Sequence, residues 1–255
     1  MFKPINLNVL DKGFVRLESC MGGDQAVLRS ARVSYGSEST DGERDKKLIC
    51  YLLSHDHGTP FEHTAFTFHV KLPIFVARQW IRHRIGVSFN EVSARYTEAK
   101  DEFYIPKVWR AQDTKNKQGS HEANLNHWTL SSILEDASEG AMNNYRALLA
   151  HGVAREMARL VLPVNFYTEW YFTCNARSLI NFIRLRSDGH AQWETRQYSH
   201  AMSFIFREIM PWSFEAMLNE MAVDEKIGKR NYGEMYNALG LYSKIVQDKN
   251  LSEIK

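Results

Sequence analysis

The segment Ala65–Leu72 constrains the fold most, because its side chains alternate strictly in character. Large apolar side chains occupy positions 66, 68, 70 and 72, and smaller or polar ones separate them. A period of two is that of a strand with one buried face. Pro73 ends this pattern, and no glycine or proline interrupts Ile74–Arg84. The sequence therefore predicts a half-buried strand followed by a helix over 74–84, on which Gln79 and Arg82 share a face.

The rest of the chain shows helix and strand patterns in irregular order. Asp24 is a capping residue type that precedes a run rich in helix formers, which predicts a helix over 25–33. The other predicted elements are helices over 128–148, 155–162, 178–186 and 191–210, a strand over 166–173 and a loop over 112–126. This order favours an α+β (mixed α/β) fold, a single domain in which helices pack on an antiparallel or mixed sheet.

Charge and cysteine content limit the classes of function. The 255 residues carry 32 lysines and arginines against 30 aspartates and glutamates, a net charge of +2, so any anion site must be local. The three cysteines lie far apart and form no CxxC motif, which favours a reducing compartment. Because the first residues lack the apolar core of a signal peptide, we expect a cytoplasmic protein with no membrane or nucleic-acid partner.

Basic side chains are most concentrated in the segment Arg78–Arg95, which contains four arginines and a histidine within eighteen residues. Guanidinium groups make forked, charge-assisted hydrogen bonds to phosphate, and hydroxyl or backbone N–H groups complete such a site. An isolated arginine-rich helix is more often a solvated surface. The polar run Ser88–Tyr96, however, is poorly explained by core packing. The segment therefore predicts a site for a phosphorylated small molecule.

A second basic concentration extends from Arg155 to His190, with apolar residues between the polar ones. On a helix that begins near residue 178, Asn181 shares a face with Arg177, and the two side chains could bind the edge of a nucleotide or a flavin. The alternative is structural: Asn175 caps the helix, and the arginines are solvated.

Two other groups of reactive side chains give weaker signals. The segment His55–His63 contains three histidines and two acidic residues that could ligate a metal. Their spacing is not HExxH, and the Gly-Thr-Pro between them favours a histidine-rich turn, so we expect no metal. Cys174 lies in an aromatic run typical of a strand, where a buried, inert thiol is favoured over a nucleophile.

Several motifs together resemble the flavin-dependent thymidylate synthases. The motif Arg82-His83-Arg84, with the polar run that follows it, is similar to the signature of that family. Further similar segments are DKGFVRL near the start, TPFEH at 59–63, FTFHVKLPIFVARQWIRHR at 66–84, ARLVLPVNFYT at 158–168 and NARSLINFIRLRSDGHAQWE at 175–194. The similarity covers most of residues 10–215. It implies a synthase domain of the thymidylate-synthase-complementing type over 1–221, with 222–255 as an extension packed on the same domain.

The resemblance implies the reductive methylation of dUMP to dTMP. Methylenetetrahydrofolate would supply the carbon for C5 of dUMP, FAD reduced by NADPH would supply the reducing equivalents, and tetrahydrofolate would be the folate product. No enzyme cysteine attacks the pyrimidine in this family, which agrees with the weak case for Cys174. The family also implies a homotetramer with shared active sites, so that the two basic clusters of one chain would serve different sites.

Matched position by position, the resemblance implies two overlapping sets of binding residues. The dUMP set is Gln79, Trp80, Ile81, Arg82, Glu91, Val92, Ser93, Ala94, Arg95, Arg159 and Arg186. The FAD set is Ser34, Thr59, Arg82, His83, Arg84, Asn90, Glu91, Asn175, Arg177, Asn181 and His190. Ser93 and the neighbouring backbone would bind the phosphate of dUMP, and His57 would position or screen substrate near the flavin.

Arg186 is the implied catalytic residue. Its guanidinium would hold the uracil edge and stabilise the ionised form of N3, because a fixed positive charge favours the anionic state of a neighbouring group. Ionisation at N3 would raise the electron density at C5.

One departure from the family pattern lies between Arg84 and Ser93. Eight residues separate them, one more than the family spacing, and we place the extra residue at Gly86-Val87, where glycine permits a bulge or a looser turn. Residues 107–127 also look long for the family, and nothing in them suggests chemistry.

Two alternatives stay open. A nucleotide- or RNA-binding module would use Arg78–Arg95 for phosphates and Trp80, Phe89 and Tyr96 for stacking, and its binding would depend steeply on salt and be indifferent to folate. A degenerate member of the family would bind FAD without methylating dUMP.

Overall fold

The computed structural model describes residues 5–33, 36 and 42–252, which form a mixed fold of antiparallel strands and helices. The strands are β1 (Asn6–Val9), β2 (Gly13–Met21), β3 (Ala65–Pro73), β4 (Val87–Glu91), β5 (Arg110–Gln112), β6 (Ser120–Glu122) and β7 (Tyr167–Asn175). The helices are α1 (Asp24–Arg32), α2 (Gly42–Ser54), α3 (Ile74–Trp80), α4 (His127–Ala150), α5 (Arg155–Ala158), α6 (Ala176–Arg186), α7 (Trp193–Ile209), α8 (Pro211–Lys226) and α9 (Gly233–Ser252). Short 3₁₀ turns span Thr59–His63 and Arg159–Val161.

Five strands form the central sheet in the order β1-β2-β3-β7-β4, and every neighbouring pair is antiparallel. The middle strand, β3, confirms the predicted alternation as far as Val70, whereas Lys71, expected on the polar face, is buried and pairs with Glu102 at 2.7 Å. Phe66, Phe68 and Val70 are fully buried, whereas His69 on the opposite face hydrogen-bonds to Glu169 of β7 at 3.0 Å. β5 and β6 form a separate hairpin that begins just before the loop predicted over 112–126 and ends within it.

The apolar face of the sheet packs against helices α3, α6 and α7. Trp80, at the end of α3, is fully buried and stacks on Phe182 of α6 with the ring centroids 4.5 Å apart. It also meets Tyr198 of α7 edge-on at 6.1 Å. Fully burying one large apolar side chain contributes roughly 1.5–3 kcal/mol, so this aromatic cluster is a main source of stability where α3, α6 and the sheet meet.

The predicted helix over 74–84 is wrong at its C-terminal end, because α3 stops at Trp80. The N–H of Ile81 still donates to the carbonyl of Ala77, and the N–H of His83 donates to the carbonyl of Trp80, which closes a turn. No glycine or proline marks this end in the sequence. Arg82 therefore lies in the turn beyond the helix rather than on one helical face with Gln79.

Other elements separate into confirmed and missed predictions. The helices predicted over 128–148, 178–186 and 191–210 correspond to α4, α6 and α7, and the strand predicted over 166–173 corresponds to β7. The helix predicted over 155–162 is divided into α5 and a 3₁₀ turn. The elements that were not predicted are β1, β2, β4, β5, β6, α2, α8 and α9, of which α8 and α9 pack against α7. The expected boundary at residue 221 falls within α8.

Asp24 caps a different helix from the one that its position in the sequence suggests. It is the first residue of α1, whose N-terminal cap is Gly23. The Asp24 carboxylate accepts hydrogen bonds from the backbone N–H groups of Trp212 and Ser213 at 2.9 and 3.0 Å, and from the Ser213 hydroxyl at 2.6 Å. Asp24 therefore satisfies N–H groups at the start of α8 and ties α8 to α1.

Replacing Asp24 with alanine should destabilise the protein by roughly 1–3 kcal/mol, because the buried N–H groups at the start of α8 would lose their acceptor. The free energy of unfolding in urea measures this loss. Asp136→Ala, on an exposed face of α4, is the matched control and should change stability by less than about 0.5 kcal/mol. Equal effects of the two substitutions would contradict the capping role.

Candidate active site

A cavity of about 1090 Å³ lies between α6, the turn that precedes β4, and the segment after α8. We call it the α6 cavity, and its volume is at the upper end for small-molecule sites. Its basic lining residues are Arg82, Arg84, Arg177, Arg184, Arg186, Lys229 and Arg230, and its acidic ones are Asp56, Glu62 and Asp224. The excess of positive charge suits a ligand that carries phosphate groups.

The start of α6 fixes one wall of this cavity. The Asn175 side chain accepts a hydrogen bond from the N–H of Ser178 at 2.8 Å and so caps the helix, as the structural alternative predicted. The Asn175 N–H donates to the carbonyl of Gly86 at 3.2 Å, and the Ser178 hydroxyl donates to the carbonyl of Ile85 at 2.7 Å. Asn175 is thus both a helix cap and a cavity residue, and it holds the Arg82–Gly86 turn against α6.

Gly86 makes this close approach feasible. Its φ is +65°, in the left-handed region that favours glycine, and a Cβ atom there would lie 2.5 Å from the Ser178 hydroxyl oxygen. The backbone accordingly takes a glycine-dependent turn at the Gly86-Val87 position, where the sequence placed its extra residue.

Arg186 projects from the end of α6 and is held from two sides. Its Nε donates to Nε2 of His83 at 2.9 Å, and its Nη2 donates to the carbonyl of Gln79 at 3.4 Å. Because an arginine can only donate, His83 accepts at Nε2 and its neutral ring carries the proton on Nδ1. Burial, and then the Arg186 charge, lowers the pKa of His83 from 6.5 to about 4. His83 is therefore a neutral support for Arg186 at physiological pH.

Arg82 and Arg186 both line the α6 cavity, and their like charges repel each other. Burial, followed by the nearby charge of Arg82, lowers the pKa of Arg186. Two positive groups that face one cavity favour an anionic ligand, because the ligand replaces repulsion with attraction.

Arg177, near the start of α6, also lines the α6 cavity. Its Nη1 donates to Glu62 at 2.7 Å, and the absent side chain of Gly58 leaves room for the guanidinium. The sequence interpretation considered Glu62 as a metal ligand and did not pair it with Arg177. Within the described ranges, no three His, Cys, Asp or Glu side chains are placed to hold a metal ion together.

The last turn of α8 and the segment after it add charged residues that the sequence analysis missed. Arg230 donates to the carbonyl of Arg184 at 3.2 Å, and Asp224 accepts from Arg184 at 3.2 Å and pairs with Lys229 at 3.3 Å. The adjacent Lys229-Arg230 pair, directly after Gly228, was the available signal. Residues 228–230 follow the part of the chain that resembles the family, residues 10–215. These contacts place them beside the α6 cavity.

A second cavity, of about 470 Å³, lies at the other end of β4. We call it the Ser93 cavity. Glu91, Val92, Ser93, Ala94 and Arg159 of the dUMP set line it. The Glu91 carboxylate accepts a hydrogen bond from the hydroxyl of Thr168 at 2.6 Å, so a buried threonine of β7 orients it.

Arg95 and Arg159 both approach Glu156 of α5. The Arg95 guanidinium lies 3.5 Å from the Glu156 carboxylate, and Nε of Arg159 donates to the Glu156 carbonyl at 3.3 Å. Both arginines are exposed, so these contacts contribute little energy and leave the guanidinium groups free to bind an anion.

The structure divides the two predicted sets between the cavities. The predicted residues that line the α6 cavity are Arg82, His83, Arg84, Asn175, Arg177, Asn181 and Arg186. Those that line neither cavity are Thr59, Gln79, Trp80, Ile81, Asn90, Arg95 and His190. Ser34 lies outside the described residues. His57 is exposed and meets Tyr51 edge-on at 5.9 Å, with the neighbouring Asp56 on the cavity wall.

The stacking surface required by an RNA-binding module is not present as predicted. The Trp80 ring is fully buried, so only its backbone can approach a ligand, and the Phe89 ring packs on Trp170 and Phe172 with centroids 5.0 Å from each. Tyr96 is exposed. Cys174 is buried, and its burial raises the pKa of its thiol, so it is the inert cysteine that the sequence favoured.

Comparison with known proteins decides the family. Residues 16–212 match the family model described as "Thymidylate synthase complementing protein". The chain belongs to this family. One relative is the flavin-dependent thymidylate synthase of Thermosipho africanus, which is 55% identical over 82% of this chain and 92% of that protein. Another is the flavin-dependent thymidylate synthase of Thermus thermophilus, which is 45% identical over 98% of this chain and 91% of that protein. The crystal structure of the UMP/dUMP methylase PolB from Streptomyces cacaoi, bound with 5-Br dUMP, is similar with a TM-score of 0.77 and 36% identity, over 84% of this chain and 97% of that one.

Membership of the thymidylate synthase complementing family agrees with the mixed fold and with the resemblance found in the sequence. None of the helices in the described part of the chain combines the length and apolar character needed to cross a bilayer.

The neutral state of His83 predicts a pH dependence of stability. Since its folded pKa of about 4 lies below the ordinary 6.5, the unfolded chain binds a proton between these values that the folded chain does not. His83 therefore lowers stability as the pH falls from about 6.5 towards 4. His83→Gln keeps a hydrogen-bond acceptor that does not titrate. When the pH falls from 7 to 5, the free energy of unfolding of this variant should decrease by about 1–2 kcal/mol less than that of the native protein. Identical pH profiles in urea unfolding would contradict the assigned state of His83.

Proposed function

We propose that this chain is a flavin-dependent thymidylate synthase, which transfers the methylene carbon of methylenetetrahydrofolate to C5 of dUMP and yields dTMP and tetrahydrofolate. The observation that carries this proposal is the α6 cavity, where Arg186, supported by neutral His83, faces Arg82. The relatives named above are flavin-dependent thymidylate synthases at up to 55% identity, which supports the same reaction.

Arg186 would bind the uracil ring and stabilise its ionised N3. Its partners fix its direction, because His83 accepts from Nε and the Gln79 carbonyl accepts from one terminal nitrogen. The remaining terminal N–H groups can then face the substrate. Preorganised charge of this kind acts strongly in a half-buried cavity, where water competes less for the developing anion.

The residues of the α6 cavity fit a flavin dinucleotide. Asn175 and Asn181 offer amide groups for a polar ring edge, and Arg84 and Arg177 offer guanidinium groups for phosphates. The close approach allowed at Gly58 and Gly86 shapes this wall without side-chain obstruction. When bound, FAD reduced by NADPH supplies the reducing equivalents. Thr59, Asn90, Glu91 and His190 would reach the flavin from outside this cavity, and His57 would position or screen substrate.

The Ser93 cavity would bind the phosphate of dUMP through Ser93, the neighbouring backbone and Arg159. This cavity and the α6 cavity lie at opposite ends of β4, whose five residues span roughly 13 Å. One nucleotide that contacts both Arg186 and Ser93 is therefore best explained by two chains that contribute different ends of the strand.

We accordingly propose a homotetramer with shared active sites. Several apolar side chains near the Ser93 cavity are exposed in the single chain, among them Leu160 at 78% and Val164 at 59%. Clustered exposed apolar residues mark contact surfaces in proteins of this size. The three free cysteines agree with a reducing compartment, and we place the enzyme in the cytoplasm.

Purified protein tests the activity directly. With its flavin bound, either as purified or after addition of FAD, it should form dTMP only when dUMP, methylenetetrahydrofolate and NADPH are present together, and omission of any of these three should stop product formation. Visible absorption should report bound flavin and respond to added dUMP. A protein that binds no flavin would exclude the synthase, one that binds flavin and dUMP without making dTMP would be a degenerate member, and one that binds RNA with a steep salt dependence would be the module considered above.

Arg186→Ala should abolish dTMP formation while leaving flavin binding largely intact, since other residues supply most of the flavin contacts. Arg146→Ala is the matched control, because Arg146 pairs with Asp101 on an exposed surface of α4. Near-normal turnover of Arg186→Ala would refute the catalytic role of Arg186.

Ser93→Ala should act differently from Arg186→Ala. Loss of one hydrogen bond to the phosphate should weaken dUMP binding by roughly 1–3 kcal/mol and raise KM more than it lowers kcat. A fall in kcat with an unchanged KM would contradict the phosphate-binding role of Ser93.

A further inference from the structure

Gln79 of the dUMP set is attached through its side chain to a chain of hydrogen bonds that ends on the β5–β6 hairpin. Its Nε2 donates to Oε1 of Gln192, and the Gln192 amide donates in turn to Glu194 at 3.0 Å. Glu194 accepts from the Arg110 guanidinium at 2.5 Å. The series connects a predicted substrate residue to a segment in which the sequence showed no chemistry.

We propose that Arg110 and Glu194 are positioning residues that set the orientation of the Gln79 amide for dUMP. This inference rests on the proposed function, since it requires Gln79 to contact the nucleotide. It assigns a role to the hairpin residues 110–122.

The direction of every hydrogen bond in the series follows from Glu194. An ionised carboxylate only accepts, so the amide nitrogen of Gln192 faces Glu194 and the amide oxygen of Gln192 faces Gln79. Gln79 must then present its nitrogen to Gln192. Its oxygen accepts from the hydroxyl of Thr195 at 3.4 Å, which agrees with that orientation.

Without such partners, the side-chain amide of Gln79 could rotate by about 180° around its last torsion angle. The last torsion of a glutamine side chain is broad and roughly two-fold, so donor and acceptor exchange places at small energetic cost. A ligand that needs a donor from Gln79 would then meet an acceptor part of the time. The fixed neighbours remove this ambiguity and prepare Gln79 for one ligand edge.

Arg110 offsets the cost of burying Glu194. Glu194 is 4% exposed, and burying a charged carboxylate without a partner is strongly unfavourable. Arg110 supplies the opposite charge, and the hydroxyl of Tyr104 donates to the same carboxylate oxygen at 3.3 Å. Burial, and then the Glu194 charge, raises the pKa of Tyr104, so Tyr104 stays a hydrogen-bond donor.

Two contacts within the hairpin and one with α7 hold Arg110 in place. Arg110 pairs across the hairpin with Glu122, and its Nε donates to the Ser120 hydroxyl at 2.9 Å. Its guanidinium lies 4.8 Å from the ring centroid of Trp193, a cation–π contact beside Glu194. The hairpin thus acts on Gln79 through one guanidinium group.

A double-mutant cycle between Arg110 and Gln79 tests this proposal. Steady-state kinetics are measured for the native protein, Arg110→Ala, Gln79→Ala and the double variant, each with its flavin content checked by visible absorption. We expect Arg110→Ala to raise KM for dUMP about tenfold, with kcat and flavin binding changed by less than about twofold, because a hydrogen bond to a charged group is involved. In the Gln79→Ala background the same change should have almost no further effect on KM.

Two further variants keep the test decisive. Arg146→Ala, which removes an exposed arginine of α4, should leave KM for dUMP within about twofold of the native value. If Arg110→Ala does not fold, Glu194→Gln replaces it in the same cycle, because an amide of equal shape no longer dictates which end of Gln192 faces it. Its KM should rise in the native background and not in the Gln79→Ala background.

The outcomes separate the two proposals. In one outcome, Gln79→Ala raises KM for dUMP, and Arg110→Ala either has no effect on KM or raises it by the same factor in the native and Gln79→Ala backgrounds. The positioning role is then wrong, and the proposed function stands. If Gln79→Ala leaves KM unchanged while the protein makes dTMP, the placement of dUMP at Gln79 is wrong and the positioning role fails with it. If no dTMP forms at all, the proposed function itself is wrong.

Discussion

The antiparallel pairing of β4 with β7 is the constraint on which both cavities depend. Val87 lies opposite Cys174 and Glu91 opposite Trp170, so the two ends of one short edge strand face the two ends of β7. At one end β7 continues into α6, which brings the Arg82–Gly86 turn and Arg186 to the same cavity. At the other end Thr168 orients Glu91 beside Ser93. Because of this one strand pairing, the α6 cavity, proposed to bind uracil, and the Ser93 cavity, proposed to bind phosphate, lie one length of β4 apart.

Elements with a strong local pattern could be predicted from the sequence, and those decided by distant contacts could not. The alternation at 66–70 requires one buried face, and β3 follows it there, whereas the burial of Lys71 depends on its distant partner Glu102. The end of α3 carries no local signal, since the packing of Trp80 on Phe182 and the following turn determine it. The sequence of β4 is typical of a polar loop, because β4 is an edge strand with an exposed face. The role of Asp24 could not be predicted either, because the N–H groups that donate to it lie 188 and 189 residues away.

The chemistry of the site was easier to predict than its geometry. A high density of arginines between 78 and 95 indicated an anion site, and Arg177 and Asn181 line one cavity, as their shared helical face predicts. The sequence did not show that the dUMP set would be divided between two cavities, because proximity along the chain does not reveal which end of a strand a residue occupies. It also carried no sign that Arg110 would reach Gln79, since that connection runs through the tertiary contacts of Glu194.

Subunit complementation tests most directly whether the two ends of β4 serve different active sites. Two inactive proteins are required, Arg186→Ala, which damages the α6 cavity, and Ser93→Ala combined with Arg159→Ala, which damages the Ser93 cavity. They are co-expressed with different tags, and mixed assemblies are purified through both. Shared sites predict that mixed assemblies recover dTMP formation, because some sites take an intact end from each protein. Mixed assemblies that stay as inactive as either parent would contradict shared sites.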